Sequence, residues 1–315
     1  MQRGEVIMPY ADGFEWTGEA KGRLKNLVIE GLTSPEIVEK LSAEFKRRLT
    51  VNAVDMAKYR FRFVKHTLTI DKDIKIYKEL TLPDDNYMIS CDEHAPYHSE
   101  VWINRKLAIA DKFKITNNIQ IGDTLDFNFI KSHPQLDGEE KSDLDREFLQ
   151  AAPSIKALLY FKKNWLMRGN HEYRVSRYTN SLIQAKHLYK IFGEDVWNSS
   201  FKYSDYDKMN IGKKWMVVHP KSYSQVATSV AKRLAEKFHR NVINSHGHLV
   251  GMAYDRSGKF LCVDLGGMFD VGKVGYIQLS TTSHPRWVQG FGMLLDGHFY
   301  HFTPETNFDY WLGKK

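Results

Sequence analysis

Five short apolar runs in this chain each stop on a cluster of aspartate, asparagine or histidine. Tyr87-Met88-Ile89-Ser90 leads into Cys91-Asp92-Glu93-His94, and Ile119-Gln120-Ile121 leads into Gly122-Asp123-Thr124-Leu125-Asp126. Trp165-Leu166-Met167 precedes Arg168-Gly169-Asn170-His171-Glu172, and Trp215-Met216-Val217-Val218 precedes His219-Pro220. Asn241-Val242-Ile243-Asn244 ends in Ser245-His246-Gly247-His248. Short apolar runs bounded by turn residues read as buried strands. Helix-length stretches separate the first three, one over 99–114 and one over 142–163 with Pro153 inside it. Strand, helix, strand, helix, strand predicts a βαβ architecture, in which ligands gather outside the carboxyl ends of the strands.

Side chains two apart on extended backbone point the same way, so Asp92 and His94 can converge while Cys91 points away. Gly169 allows a sharp turn and a close approach to a ligand. Beyond it an amide, an imidazole and a carboxylate follow in succession, each a metal ligand or proton handler by chemistry. Any one cluster alone reads as a solvated turn. Further along, 173–192 and 226–238 read as helices. Phe260 to Val263 and Val274 to Leu279 read as antiparallel strands, and 293–302 as a hairpin around Asp296-Gly297.

The five clusters in order resemble the calcineurin-like metallophosphoesterase superfamily, whose motifs run D-x-H, G-D-x-x-D, G-N-H-E/D, a lone histidine and G-H-x-H. The resemblance covers roughly residues 87–270. Ser245 departs from it, standing where the family has a glycine that shapes backbone. The fold implied is α/β, a four-layer α/β/β/α sandwich over 87–315. The cofactors implied are two divalent metal ions, manganese foremost, with zinc, iron or magnesium as alternatives. Oxygen and imidazole ligands without thiolate suit such metals. By the resemblance, Asp92, His94 and His248 hold one ion, Asn170, His219 and His246 the other, and Asp123 bridges them. Paired ions of this kind sit ~3.5–4 Å apart, and a metal-bound hydroxide attacks phosphorus. His171 is implied as the catalytic group that stabilises phosphoryl oxygens and protonates the leaving alkoxide, working with Asp123. Asp126 and Glu172 would orient the histidines and the loops. Arg168, Arg174, Arg177, His284 and Arg286 are possible phosphate contacts.

Ahead of this region the chain is helical. Residues 1–16 read as an irregular arm, and a first helix starts at Thr17 and ends at Gly31. Thr33 with Glu36 forms a capping box over Pro35, and Thr50 caps a third helix. Residues 17–63 resemble a helix-turn-helix module, followed by a linker over 64–86. In that reading Asn52 and Asp55 approach base edges, and Lys58, Arg60 and Arg62 approach phosphates. DNA is then the expected partner of the module, alongside a phosphate-ester substrate for the site. The alternative is a three-helix bundle that docks a partner.

The chain of 315 residues carries a net charge of +7, which favours polyanionic partners. Its hydrophobic share of 42% and charged share of 26% suit a soluble globular protein. Cys91 and Cys262 lie far apart, so neither a disulfide framework nor a cysteine zinc site is indicated. No run approaches the length of a membrane span and the start lacks a signal-peptide core, so the expected location is the cytoplasm. The function expected is a dinuclear metal-dependent phosphoesterase, a phosphodiesterase or nuclease acting on DNA. The alternative is a phosphatase or phosphodiesterase for small nucleotides or phosphoproteins.

Overall fold

The computed structural model describes residues 14–61, 63, 79–130, 143–193, 200–275, 277 and 286–314, and it divides into two compact units, Met1–Tyr77 and Lys78–Lys315. Among the described residues no helix is long and apolar enough to cross a membrane.

In the first unit, helices α1 (Gly18–Glu30), α2 (Ser34–Glu44) and α3 (Val51–Arg60) form where caps start them. The Thr17 hydroxyl accepts from the Ala20 amide, Thr50 from the Ala53 amide, and Glu36 reaches back to the Thr33 amide at 2.7 Å. Gly31 ends α1 at a φ of 91°, a conformation that costs glycine little. The apolar stripes of the three helices meet at Leu24, Leu27, Ile37, Leu41 and Val54. Phe14 and Trp16 are buried in that same core, so the last residues of the expected arm pack against the helices. Arg62, residues 1–13 and the linker residues 64–78 lie outside the described residues.

The second unit is a mixed α/β structure with two six-stranded mixed sheets. One sheet runs β12 (His298–Phe302), β11 (Phe291–Leu295), β2 (Tyr87–Ser90), β3 (Asn117–Gln120), β4 (Lys163–Met167), β5 (Phe201–Ser204). The other runs β1 (Thr81–Leu82), β6 (Lys208–Ile211), β7 (Trp215–Val218), β8 (Asn241–Asn244), β10 (Leu261–Leu265), β9 (Val250–Tyr254). Strands β2 to β5 are parallel, as are β7, β8 and β10. Ile89, Ile119 and Trp165 from the first sheet share a core with Val217, Ile243 and Val263 from the second. On the outer faces lie α4 (Glu100–Lys112) and α5 (Leu144–Ala157) against the first sheet and α8 (Ser229–Phe238) against the second. Near-continuous apolar strands are what a sheet covered on both faces requires.

Three expected elements differ. The helix expected over 173–192 is two helices, α6 (Asn170–Tyr178) and α7 (Ala185–Tyr189). Between them the Thr179 hydroxyl bonds the carbonyls of Val175 and Ile183, and Asn180 and Ser181 take positive φ. Short polar side chains that compete for the backbone stop a helix even where apolar spacing would continue it. The stretch over 142–163 is helical only to Ala157, then turns through Leu158–Tyr160 before β4 starts at Lys163. Residue 142 lies outside the described residues. The strand expected over 274–279 is not formed at Val274. Asp270 caps a short turn over Val271–Lys273, and Val274 and Ile277, three apart, bury against Phe269. Residues 276, 278 and 279 lie outside the described residues. The hairpin at 293–302 forms with Asp296-Gly297 at its tip, both at positive φ, and α9 (Phe308–Leu312) follows.

Candidate metal centre

Each of the five polar clusters follows the carboxyl end of a strand. Asp92 and His94 come after β2, Asp123 and Asp126 after β3, and Asn170 and His171 open α6 after β4. His219 follows β7, and His246 and His248 follow β8. The first sheet therefore supplies three clusters and the second sheet two, at an edge where their loops interlock. Asp92 donates its amide to Gly122 O, His94 to Asp123 O, and Ser245 to Val218 O.

Two glycines make the interlock possible. A Cβ at Gly169 would lie 2.1 Å from Asp123 Oδ1, and one at Gly122 would lie 2.6 Å from Gly169 Cα. No other residue leaves room for the two loops to cross. The Glu172 carboxylate joins them, accepting amide protons from Asp123 at 2.9 Å, Thr124 at 2.8 Å and Gly169 at 2.8 Å.

Asp92, His94, Asp123, His246 and His248 all hold positive φ. For residues with a side chain that conformation costs about 1–3 kcal/mol each and persists only where the surroundings enforce it. Five such residues at one edge mark a site whose side-chain directions are imposed by the fold.

The side chains converge in three groups, buried except for the half-buried His246: Asp92 with His94 and His248, His94 with Asp123 and His171, and Asp123 with His219 and His246. In each group the donor atoms lie within 4.8 Å of one another. The facing nitrogens of His94 and His248 are 3.2 Å apart, and His248 Nε2 lies 3.2 Å from Asp92 Oδ1. At the other end His219 Nε2 is 2.9 Å from Asn170 Oδ1 and 3.2 Å from Asp123 Oδ2. On two of these rings the nitrogen turned away has a partner that fixes the tautomer. His94 Nδ1 donates to the Asp126 carboxylate at 2.9 Å, and His219 Nδ1 to the Ile121 carbonyl at 3.0 Å. Both partners only accept, so neutral rings present lone pairs at Nε2.

The donor set fits a divalent cation. Asp92 Oδ1 and Asp123 Oδ2 are buried and accept no hydrogen bond from the described residues, although an imidazole nitrogen stands near each. Buried carboxylate oxygens normally have partners. Nitrogen and oxygen lone pairs aimed at one another across 3–4 Å are held together by a cation or by protons. These buried His and Asp groups could hold metal ions.

Without an ion, protons take that role unequally. Burial would lower His219, but Asp123 outweighs it and raises the ring to about 10. Burial and the charge of His219 lower His246 to about 4. Burial would raise Asp92, yet His248 and His219 bring it to about 2. Asp123 is held well below the usual carboxylate range, its histidine neighbours outweighing burial.

His171 lies beside the cluster. Its Nδ1 donates to the Asp126 carbonyl at 2.7 Å and lies 3.1 Å from the Asp126 carboxylate. Arg174 Nη2 donates to its Nε2 at 3.0 Å. Burial lowers this ring, but Asp123 and Asp126 raise it more, and its pKa is up on balance. Asp126 thus touches both His94 and His171, while Glu172 contacts loop amides.

Sequence reasoning gave Ser245 only a backbone role. Its hydroxyl in fact lies 2.9 Å from His219 Nδ1 and bonds Ile121 O and Val218 O at 3.2 Å. It also overlooked the aromatic wall, in which Trp287 and Phe269 meet the His248 ring edge-on at 4.4 and 4.8 Å between centroids. Neither contact has a local signature in the sequence. His284 lies outside the described residues.

On α3, Asn52, Asp55 and Arg60 are exposed and Lys58 is half-buried. The Ser34 hydroxyl donates to Asp55 and accepts from Lys58, so these two side chains tie α3 to the start of α2.

No family model and no curated protein matches the sequence. Among solved structures, Yfce, a phosphoesterase from E. coli, aligns over 67% of this chain and 88% of its own, at 14% identity and a TM-score of 0.34. A likeness that distant carries no argument about this chain.

Proposed function

We propose that the second unit is a divalent-metal-dependent phosphoesterase of the calcineurin-like kind, acting on a phosphodiester in DNA. One observation carries the reading: the buried Asp92 Oδ1 and Asp123 Oδ2 accept no hydrogen bond from the described residues, and each faces an imidazole, His94 for the one and His219 for the other, whose far side is tied to an acceptor. Asp92, His94 and His248 would hold one ion, and Asn170, His219 and His246 the other. Asp123, which belongs to two of the three groups, would bridge. Two such ions would supply positive charge for the phosphoryl oxygens and a water of lowered pKa.

The chain's own residues do the rest. His171 stands next to Asp123, and the charges of Asp123 and Asp126 raise its pKa against the effect of burial. Asp126 fixes the ring by its Nδ1, which leaves Nε2 as the atom that would protonate a departing alkoxide. Arg174 donates to Nε2 in this arrangement, so its guanidinium must shift to a phosphoryl oxygen and Nε2 must take up a proton from solvent before the transfer. The net charge of +7 favours a polyanionic substrate. The first unit would then bind DNA through α3 in the manner of a helix-turn-helix module, with Asn52 at base edges and Arg60 at phosphates.

The test is hydrolysis of linear and circular DNA with manganese, in the wild type and in His171→Ala, with a bis-aryl phosphate as control. DNA cleavage lost in the variant supports the reading. Turnover of the aryl diester without DNA cleavage would keep the phosphoesterase and discard DNA as its substrate.

A further inference from the structure

A cleft of about 710 Å³ opens beside His219, His246 and Asn170. That volume lies in the upper part of the range for small-molecule sites and far exceeds one phosphate. Its walls carry four cations, Arg168, Arg174, Arg177 and Lys221, against the single carboxylate of Asp207. Two tyrosines join them, Tyr173 at 42% exposure and Tyr178 at 62%.

The cations and rings are ordered. On α6, Tyr173 and Arg177 stand one turn apart, as do Arg174 and Tyr178, so charge and ring alternate along one face. The Arg168 guanidinium lies 4.9 Å from the Tyr173 ring centre and the Lys221 ammonium 5.8 Å from it. Tyr173 is thus a half-exposed ring flanked by cations. Aromatic faces that stack bases, with cations that follow the backbone, are the means by which proteins hold single-stranded nucleic acid. A lone phosphomonoester would use one cation beside the ions and leave the exposed rings without work. From this geometry we infer that the cleft binds a single-stranded polynucleotide, with one phosphate at the metal cluster and a neighbouring nucleotide stacked along α6. This inference rests on the phosphoesterase reading for the phosphate at the cluster, and the cleft itself supplies the substrate class.

The experiment uses the full chain in EDTA, so no turnover intervenes. A tetranucleotide carrying 4-thiothymidine is photo-crosslinked to the protein and the adducts are mapped by mass spectrometry. Adducts at Tyr173 or Tyr178 are expected. In parallel, fluorescence anisotropy follows a 12-nucleotide strand (length chosen for about one site) on the wild type and Arg177→Ala. Affinity should fall about tenfold in the variant, with the log–log salt slope shallower by about 0.7. Adducts confined to residues 14–61, or an unchanged affinity and slope, would overturn the inference. So would equal binding of a phosphoserine peptide in competition with the strand. Wild-type hydrolysis of a bis-aryl phosphate with manganese separates the two claims: turnover without cleft adducts overturns only the strand-binding inference, and adducts without turnover overturn the phosphoesterase reading.

Discussion

At one end of the cluster, His219 is held on its far side by the Ile121 carbonyl and the Ser245 hydroxyl, and it faces Asp123 and Asn170. At the other end, His248 faces Asp92, and its Nδ1 has no hydrogen-bond partner among the described residues and lies among Trp287 and Phe269 rings. Partners behind a metal-binding imidazole fix its orientation and raise its basicity. The two rings thus differ in what lies behind them. The His219 end is polar, tightly wired and next to the basic cleft, whereas the His248 end is backed by apolar rings.

The largest expected effect removes what the two ends share. Asp123→Asn should lower metal content to less than half and hydrolysis of an aryl diester by about 10³-fold or more, since first-contact ligands should exceed the ~10–100-fold known for residues behind them. Metal analysis and initial rates check this. Retention of full metal content would show that the ends are independent.

Next in size is a contrast between two motif glycines. Gly169→Ala should cost about 2–4 kcal/mol in urea unfolding, because its Cβ meets Asp123 Oδ1 at 2.1 Å. Gly247→Ala should stay within about 0.5 kcal/mol, since the nearest atom to its Cβ is Ser224 O at 3.9 Å. Equal costs would refute the account of the loop crossing.

This contrast also locates what the sequence could reveal. The five strand ends were legible because each joins an apolar run to a polar cluster, and the caps at Thr33 and Thr50 were legible because capping is local. The crossing of Gly122 over Gly169, the positive φ of five clustered residues and the Ser245–His219 contact depend on loops that meet only in three dimensions. Strands β5 and β6 were missed because Lys202 and Asn210 interrupt their apolar runs. The break after Tyr178 was missed because Leu182, Ile183 and Leu188 keep helical spacing across it.

A smaller effect compares the partners behind the rings. Asp126→Asn, which weakens the hold on both His94 and His171, should reduce metal affinity or turnover about 10–100-fold. Ser245→Ala, where Ile121 O still holds His219, should cost only about 1 kcal/mol in metal binding. Calorimetric metal titration of both variants orders them. The reverse ranking would mean that the hydroxyl, rather than the carbonyl, sets the His219 tautomer.

The smallest signal is a proton. His219 is raised to about 10 from 6.5, so its contribution to the stability of the metal-free protein is full below 6.5 and lost as pH rises through about 10. His246 is lowered to about 4 from 6.5, so its contribution is full above 6.5 and lost as pH falls through about 4. At pH ~8, metal binding must therefore displace a proton from His219 and none from His246, about one proton in total. Titration in weakly buffered solution with an indicator dye would read it, and His219→Ala should abolish it. Metal uptake without proton release would break the contrast between the two histidines.

The proposed function requires that these residues hold a pair of divalent ions. Anomalous diffraction from crystals soaked in manganese tests it most directly. Two peaks are predicted, one within bonding distance of Asp92, His94 and His248 and the other of Asn170, His219 and His246, with Asp123 between them. Saturating manganese that leaves this cluster without anomalous density, or places it elsewhere in the second unit, would contradict the claim.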